Sequence, residues 1–265
     1  MVERPASAPA PASGAALIEL LRSAREDALA DAIESPAFDE EHAALLPVLL
    51  ERRDLSEAIL ERVAKRSRWL ADAAVRAKLA AHPRAPRRIV LRLLREFHLL
   101  DLVQFSLQPA TPTEARRLAD ELIVGRIGQL PLGQKKMLAR RGSAQAAGAL
   151  LADSSPAVVA AALDNSFLTE AQVLKALSRQ ALDVQAVSAI GRHAKWSKHH
   201  AVSLALVAHR HAPAEIVMTI LPLLSRCDLD DVAALPHLHA GARRHVQHEL
   251  ARRSRLAKAP PPPRD

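Results

Sequence analysis

The chain has 265 residues, room for one large domain or two small ones, and 49% of them are apolar, which excludes a disordered chain. The apolar set is mostly Ala, Leu and Val, with eight glycines and no tyrosine, so the aromatic material of sheets is scarce and helix is favoured. The net charge of +8 is unevenly spread: residues 1–62 carry six basic and thirteen acidic side chains, a balance of −7, and the rest of the chain stands at +15. That polarity suits an acidic first section and a basic body meeting an anionic partner. Arg outnumbers Lys twenty-nine to eight, which GC-rich coding also produces, so the basicity has two origins open to it.

In chain order, residues 1–13 are Pro/Ala-rich, lack the basic-then-apolar order of a signal peptide, and are expected to form a disordered tail. A single α-helical domain is expected over 14–256, and a second disordered, Pro-rich tail over 257–265. No apolar run reaches the ~20 residues that cross a bilayer, so no membrane contact is expected and a cytoplasmic location is. The single cysteine, Cys227, excludes an internal disulfide.

Helix starts punctuate the body. Asp54-Leu55-Ser56-Glu57, Thr111-Pro112-Thr113-Glu114 and Thr169-Glu170-Ala171-Gln172 combine capping residues with an early acid or amide, and Ser155-Pro156 opens a further helix. Between them apolar residues recur at helical spacing, as in Ile89, Val90, Leu93, Leu94 and Phe97. The pattern predicts about fifteen helices and no strand.

The chain also repeats. A shift of 127 places Trp69 on Trp196, Ala81-His82 on Ala208-His209, Ala85-Pro86 on Ala212-Pro213, and Ile89-Val90 on Ile216-Val217. It continues through Asp101-Leu102 on Asp228-Leu229 to Ala115-Arg116-Arg117 on Ala242-Arg243-Arg244. A shift of 44 places Ala157-Val158 on Ala201-Val202, with Val173 and Leu177 on Val217 and Leu221. The long period is thus about three units of forty-odd residues, the length of HEAT and armadillo repeats. Trp69, Trp196, Pro86, Pro213, His82 and His209 are structural repeat positions, with both tryptophans expected in the core.

The stretch Leu130-Pro131-Leu132-Gly133-Gln134-Lys135-Lys136, followed by Leu150-Leu151-Ala152-Asp153 and Asp164-Asn165-Ser166-Phe167-Leu168-Thr169, resembles bacterial HEAT/armadillo-like proteins, including the leucine-rich-repeat-variant group. The resemblance implies an all-α solenoid of antiparallel helix pairs. It brings no catalytic residue, and the cysteine cluster of some leucine-rich-repeat-variant proteins is missing, so no iron–sulfur cofactor is expected.

Candidate binding residues are basic. Arg84, Arg88, Arg92 and Arg95 share one face of the Pro86 helix, opposite its apolar stripe and so towards solvent. Arginine grips phosphate or carboxylate bidentately, which suits either anion. The later copy has His211, Glu215, Thr219 and Pro222 there, so the repeat itself does not require the stripe. Lys135, Lys136, Arg140, Arg192, Lys195 and Lys198 add basic positions that successive repeats could align. With no tyrosine and both tryptophans read as core, a nucleic acid would be held by its backbone and not by base stacking.

Nine of twelve histidines lie after residue 190, but HExxH and CxxC are absent and no metal is expected. Gly128 to Gly133 lacks the lysine and the preceding strand of a phosphate loop. Cys227, aligned with Leu100, reads as a buried structural thiol, and Asp101 and Asp228 read as helix caps. The reading is a non-catalytic scaffold for another protein with an acidic surface, its copy number open. The alternative is sequence-independent nucleic-acid binding, with a HEAT-like DNA glycosylase a distant third.

Overall fold

The computed structural model describes residues 18, 21–34, 38, 45–179, 181–236 and 238–258, and among these every regular element is helical. Residues 1–13 and 259–265, which include most of both expected tails, lie outside that set. Fifteen α-helices have both ends among the described residues and are numbered here: α1 Glu26–Glu34, α2 Glu57–Lys65, α3 Ala73–Ala80, α4 Arg87–Arg95, α5 Leu99–Leu107, α6 Thr113–Arg126, α7 Leu132–Arg141 and α8 Ala144–Leu150. They continue as α9 Pro156–Leu163, α10 Glu170–Leu177, α11 Val184–Arg192, α12 His200–Ala208, α13 Ala214–Ile220, α14 Arg226–Ala234 and α15 Ala240–Lys258. None is long and apolar enough to cross a membrane.

The chain divides into two compact units, Met1–Ile123 and Val124–Asp265, the division falling within α6. Each unit holds one member of the 127-residue match. In the first, a 3-10 turn Trp69–Ala71 leads into α3, α4, α5 and α6; in the second, a 3-10 turn Trp196–Lys198 leads into α12, α13, α14 and α15. Each pair of equivalent elements begins 127 residues apart. Between the two tryptophan turns lie nine helices, α3 to α11, hence three for each forty-odd-residue unit where a helix pair would give two.

Within the second unit the packing follows a rule. Alternate helices touch in series, α7 to α9 to α11 to α13 to α15, and α8 to α10 to α12 to α14. Sequence neighbours such as α7 and α8, α8 and α9, and α12 and α13 also touch. In the first unit, α1 packs on α2 and α3 on α4.

The tryptophans sit in the core, 0% and 1% exposed. Trp69 lies 5.2 Å from the Phe38 ring, with the Arg66 guanidinium 4.5 Å above it. Trp196 carries the Lys195 ammonium 4.1 Å from its ring, and its indole Nε1 donates to the Leu163 carbonyl at the end of α9 (3.0 Å). Such sites recur because a helix end leaves carbonyls without partners, and the chain supplies donors from about thirty residues downstream.

His82 and His209 do the same work at equivalent positions. His82 Nε2 meets the Arg52 carbonyl (2.6 Å) and His209 Nε2 the Arg179 carbonyl (3.4 Å), themselves 127 residues apart. In each ring Nδ1 accepts the N–H two residues on, from Arg84 or His211, at 3.2 Å. Nε2 is therefore the protonated nitrogen and donates to the carbonyl. At the 44-residue offset Asn165 replaces the imidazole: Nδ2 donates to the Ala139 (2.7 Å) and Gly142 (3.0 Å) carbonyls, and Oδ1 accepts from the Phe167 N–H (2.7 Å).

Burial pushes both imidazoles below their ordinary value. A base depressed in the folded state gives stability that is full above its unfolded pKa, near 6.5, and is lost as pH falls through the folded value. Melting temperature is therefore expected to drop on acidification below about pH 6.5, and the double variant His82→Asn, His209→Asn to flatten that slope. An unchanged slope in the variant would assign it elsewhere.

Several local expectations are corrected. α6 starts at Thr113, and Thr111 Oγ1 is buried without a hydrogen-bond partner, so it caps nothing. Glu114 instead binds Arg87 and Arg117, because two guanidinium groups reach it first. Ser56, not Asp54, caps α2, accepting from the Ile59 N–H, while Asp54 is held by Arg52 at a pKa of about 2. Thr169 precedes α10 without a side-chain cap. Asp228 does cap, in a reciprocal box with Ser225. Finally, α15 runs to Lys258, two residues into the expected second tail.

Candidate functional site

The four arginines of α4 and its approach are exposed, as their helical phase requires. Three of them are nevertheless engaged with their own chain. Arg84 Nη1 donates to the Asp54 carbonyl (3.0 Å), Arg88 pairs with Glu61, and Arg92 Nη2 donates to the Ala64 carbonyl (2.6 Å). Arg95 is engaged as well. The stripe therefore clamps α4 onto the segment around α2. Exposed pairs of this kind contribute little, so replacing Arg88 and Arg92 by Ser is expected to cost no more than about 1–2 kcal/mol in urea unfolding. A larger loss would show the clamp to be a principal support.

The other basic candidates fall into two sets. Lys135 is bound at 2.8 Å to Asp153, whose side chain is 6% exposed, so the pair fastens α7 to the loop before α9. Arg192 pairs with Glu215 (3.1 Å) and Lys195 covers Trp196. Lys136 and Arg140, one turn apart on the exposed face of α7, and Lys198 have no carboxylate partner among the described residues. The structure does not gather these candidates at one place. It does bring Arg192 and Lys198 together, on the rim of a cavity of about 510 Å³ in the second unit.

That cavity is built by five elements. The end of α11 supplies Gly191 and Arg192, the tryptophan turn Ser197 and Lys198, and α12 His200 and Ser203. Its floor is Ile216 and Ile220 of α13 with Leu224 beyond the helix, and Leu223 of the turn that follows α13 stands at its edge. Leu223 is 76% exposed, the most of any large apolar side chain described, and Met218 of α13 is 58% exposed. α11 and α13 approach so closely that a Cβ on Gly191 would lie 2.7 Å from Ile216, so glycine is what this crossing accepts.

The rim is polar. Arg192 and Glu215 form a pair whose side chains are 68% and 82% exposed. His200 Nε2 stands 3.2 Å from Asp228, and Ser203 Oγ donates to the Ser197 carbonyl (3.1 Å). The result is an apolar trough with cations on one side, the surface that suits an apolar group next to a carboxylate. Sequence reasoning found Arg192 and Lys198 but missed Ser203, Ile216, Thr219 and Leu223, which carry no charge or motif.

The late histidines disperse. His193, His199 and His200 face Asp164, Glu170 and Asp228 respectively, each about 3.2 Å away. No group of three or more His, Cys, Asp or Glu among the described residues is arranged to hold a metal ion. Cys227 is exposed, not buried. The expectation came from its match with Leu100, and Leu100 is itself 60% exposed, so the position faces solvent in both copies.

Compared with known proteins, the chain matches no family model, no curated protein and no solved structure.

Proposed function

We propose that the chain is a non-catalytic scaffold: a HEAT/armadillo-like array of stacked helical repeats that binds another protein through that protein's acidic surface. The observation that carries this reading is the trough of the second unit, apolar on its floor and cationic at Arg192 and Lys198. A rigid repeat core holds such a surface without the ordering cost of a flexible one, and basic side chains speed encounter with an acidic partner. The serial contact of alternate helices supports the stacked arrangement.

A second reading is nucleic-acid binding through the backbone. It is favoured by Lys136 and Arg140, exposed on α7 and free of carboxylate partners among the described residues. Salt separates the two. Phosphate contacts release counterions, so a nucleic-acid complex is expected to lose ~10³-fold in affinity between about 50 and 200 mM salt, whereas an interface centred on apolar contacts changes far less. The test is capture from cell lysate, with and without nuclease, at both salt concentrations. A discrete protein retained at the higher salt is expected. Retention only of nucleic acid, lost with nuclease, would overturn the scaffold in favour of the alternative.

A further inference from the structure

The two copies share a backbone pattern but not a surface, and two of the differing positions decide how much space is left open. At the place of the trough, the first unit carries Arg76 where the second has Ser203, and Arg92 where the second has Thr219, in each case 127 residues apart. Beside Arg76 the first copy has a smaller cavity, about 110 Å³. Arg76 Nη1 donates to the Leu70 and Ala71 carbonyls (2.5 and 2.9 Å), and Arg92 Nη2 crosses to the Ala64 carbonyl. Ser203 keeps the first bond with a short arm, to the Ser197 carbonyl, which is the equivalent of Leu70. Thr219 turns back onto its own helix, donating to the Glu215 carbonyl (2.8 Å).

The second copy lacks these two guanidinium side chains, and a cavity of about 510 Å³ stands where they would lie. The floor was kept: Ile216 and Ile220 match Ile89 and Leu93. Its edge became more apolar, with Leu223 in the place of Glu96. Its cations are Arg192, where the first copy has Lys65, and Lys198, where the first copy has Ala71, with Glu215 in the place of Arg88. An open apolar floor with a cationic rim fits a ligand that is aliphatic and anionic at once.

We infer that this trough is the docking site for a segment of the partner protein that inserts an aliphatic side chain and flanks it with carboxylates. The inference rests on the scaffold reading and names the place and chemistry of its contact. The aliphatic side chain packs on Ile216, Ile220 and Leu224 and covers Leu223, removing that exposed leucine from water. One carboxylate takes Lys198. A second competes with Glu215 for Arg192, an exchange that costs little because the existing pair is solvent-exposed. An acidic segment is favoured over nucleic acid because a phosphate backbone offers nothing for the aliphatic floor.

The test uses the full chain and a fluorescein-labelled helical peptide with leucines along one face and glutamates elsewhere, read by anisotropy. Two comparator peptides replace the glutamates by lysine or the leucines by glutamine. The decisive variant is Ser203→Arg with Thr219→Arg, which restores the residues of the first copy. Their acceptors, the Ser197 and Gly191 carbonyls, are already in place, so folding is expected to persist.

Binding of the Leu/Glu peptide is expected to fall at least ~10-fold in this variant, a change of about 1.4 kcal/mol, although the variant gains two positive charges. Both comparators are expected to bind as weakly. Equal or tighter binding by the variant, equal binding of the lysine peptide, or no binding to the wild type would overturn the docking site. Should the double variant melt early, Thr219→Arg alone, at an exposed position, gives the same readout. The outcomes separate from those of the scaffold reading. A nuclease-resistant partner recovered equally by wild type and variant removes the trough and leaves the scaffold; no recovered partner with the peptide still bound removes the scaffold alone.

Discussion

Replacing Trp69 or Trp196 by alanine is expected to lower the unfolding free energy by about 3–5 kcal/mol, the range for deleting a large buried aromatic side chain. Both indoles are enclosed, so each deletion leaves a void that the surrounding helix ends close only in part. At Trp69 the Phe38 ring loses its neighbour, and Arg66 loses the face it covers. At Trp196 the Leu163 carbonyl also loses its donor. Trp196→Phe separates the terms: it keeps most of the volume and removes the hydrogen bond, and is expected to cost about 1–2 kcal/mol. Urea unfolding followed by circular dichroism measures all three. A loss under about 1 kcal/mol in both alanine variants would contradict the burial of the repeat positions.

The second large effect is expected at Arg253. From α15 its guanidinium reaches the turn after α13, donating to the carbonyls of Leu224 (2.7 Å), Leu221 (3.0 Å) and Pro222 (3.1 Å). It also binds Glu249 one turn back (2.8 Å). Three carbonyls at a helix end depend on this one side chain, and charge-assisted bonds of this kind are the stronger class. Arg253→Met keeps the aliphatic stem and is expected to cost about 2–3 kcal/mol. Glu249 keeps Arg252, which is the larger cause of its pKa lying at about 2. Its contribution is therefore present above the ordinary carboxylate range, and is lost only as pH falls through about 2. Stability of Arg253→Met equal to wild type at neutral pH would show the turn to be held by packing alone.

How far the sequence reaches is visible at particular residues. The helical class, the matching tryptophan turns and the burial of Trp69 and Trp196 were legible, because identical residues at one spacing carry the register directly. The phase of the α4 arginines was legible too, since helical periodicity fixes it. Their engagement was not: Arg84, Arg88 and Arg92 bind partners 27 to 30 residues earlier, two of them backbone carbonyls, which leave no pattern in a sequence. Lys135 was read as a binding candidate for the same reason, its partner Asp153 lying eighteen residues away.

The capping signals failed where a competing contact won, as when Arg87 and Arg117 drew Glu114 away from the start of α6. The trough was the least legible feature. Ser203 and Thr219 are unremarkable residues. Their significance appears only beside Arg76 and Arg92, and only once the direction of those side chains is known. What the sequence marked as a candidate, the charge-rich stripe, is bound to its own chain, and the larger cavity lies in the copy that has serine and threonine in place of Arg76 and Arg92.

The most direct measurement is the hydrogen-exchange footprint of the bound Leu/Glu peptide on the full chain. The account predicts slowed exchange in residues 191–224, at the end of α11, the tryptophan turn, α12 and α13, with residues 84–95 unchanged. Protection centred on residues 84–95, or on α7 around Lys136 and Arg140, would contradict it and return the binding face to the basic surface.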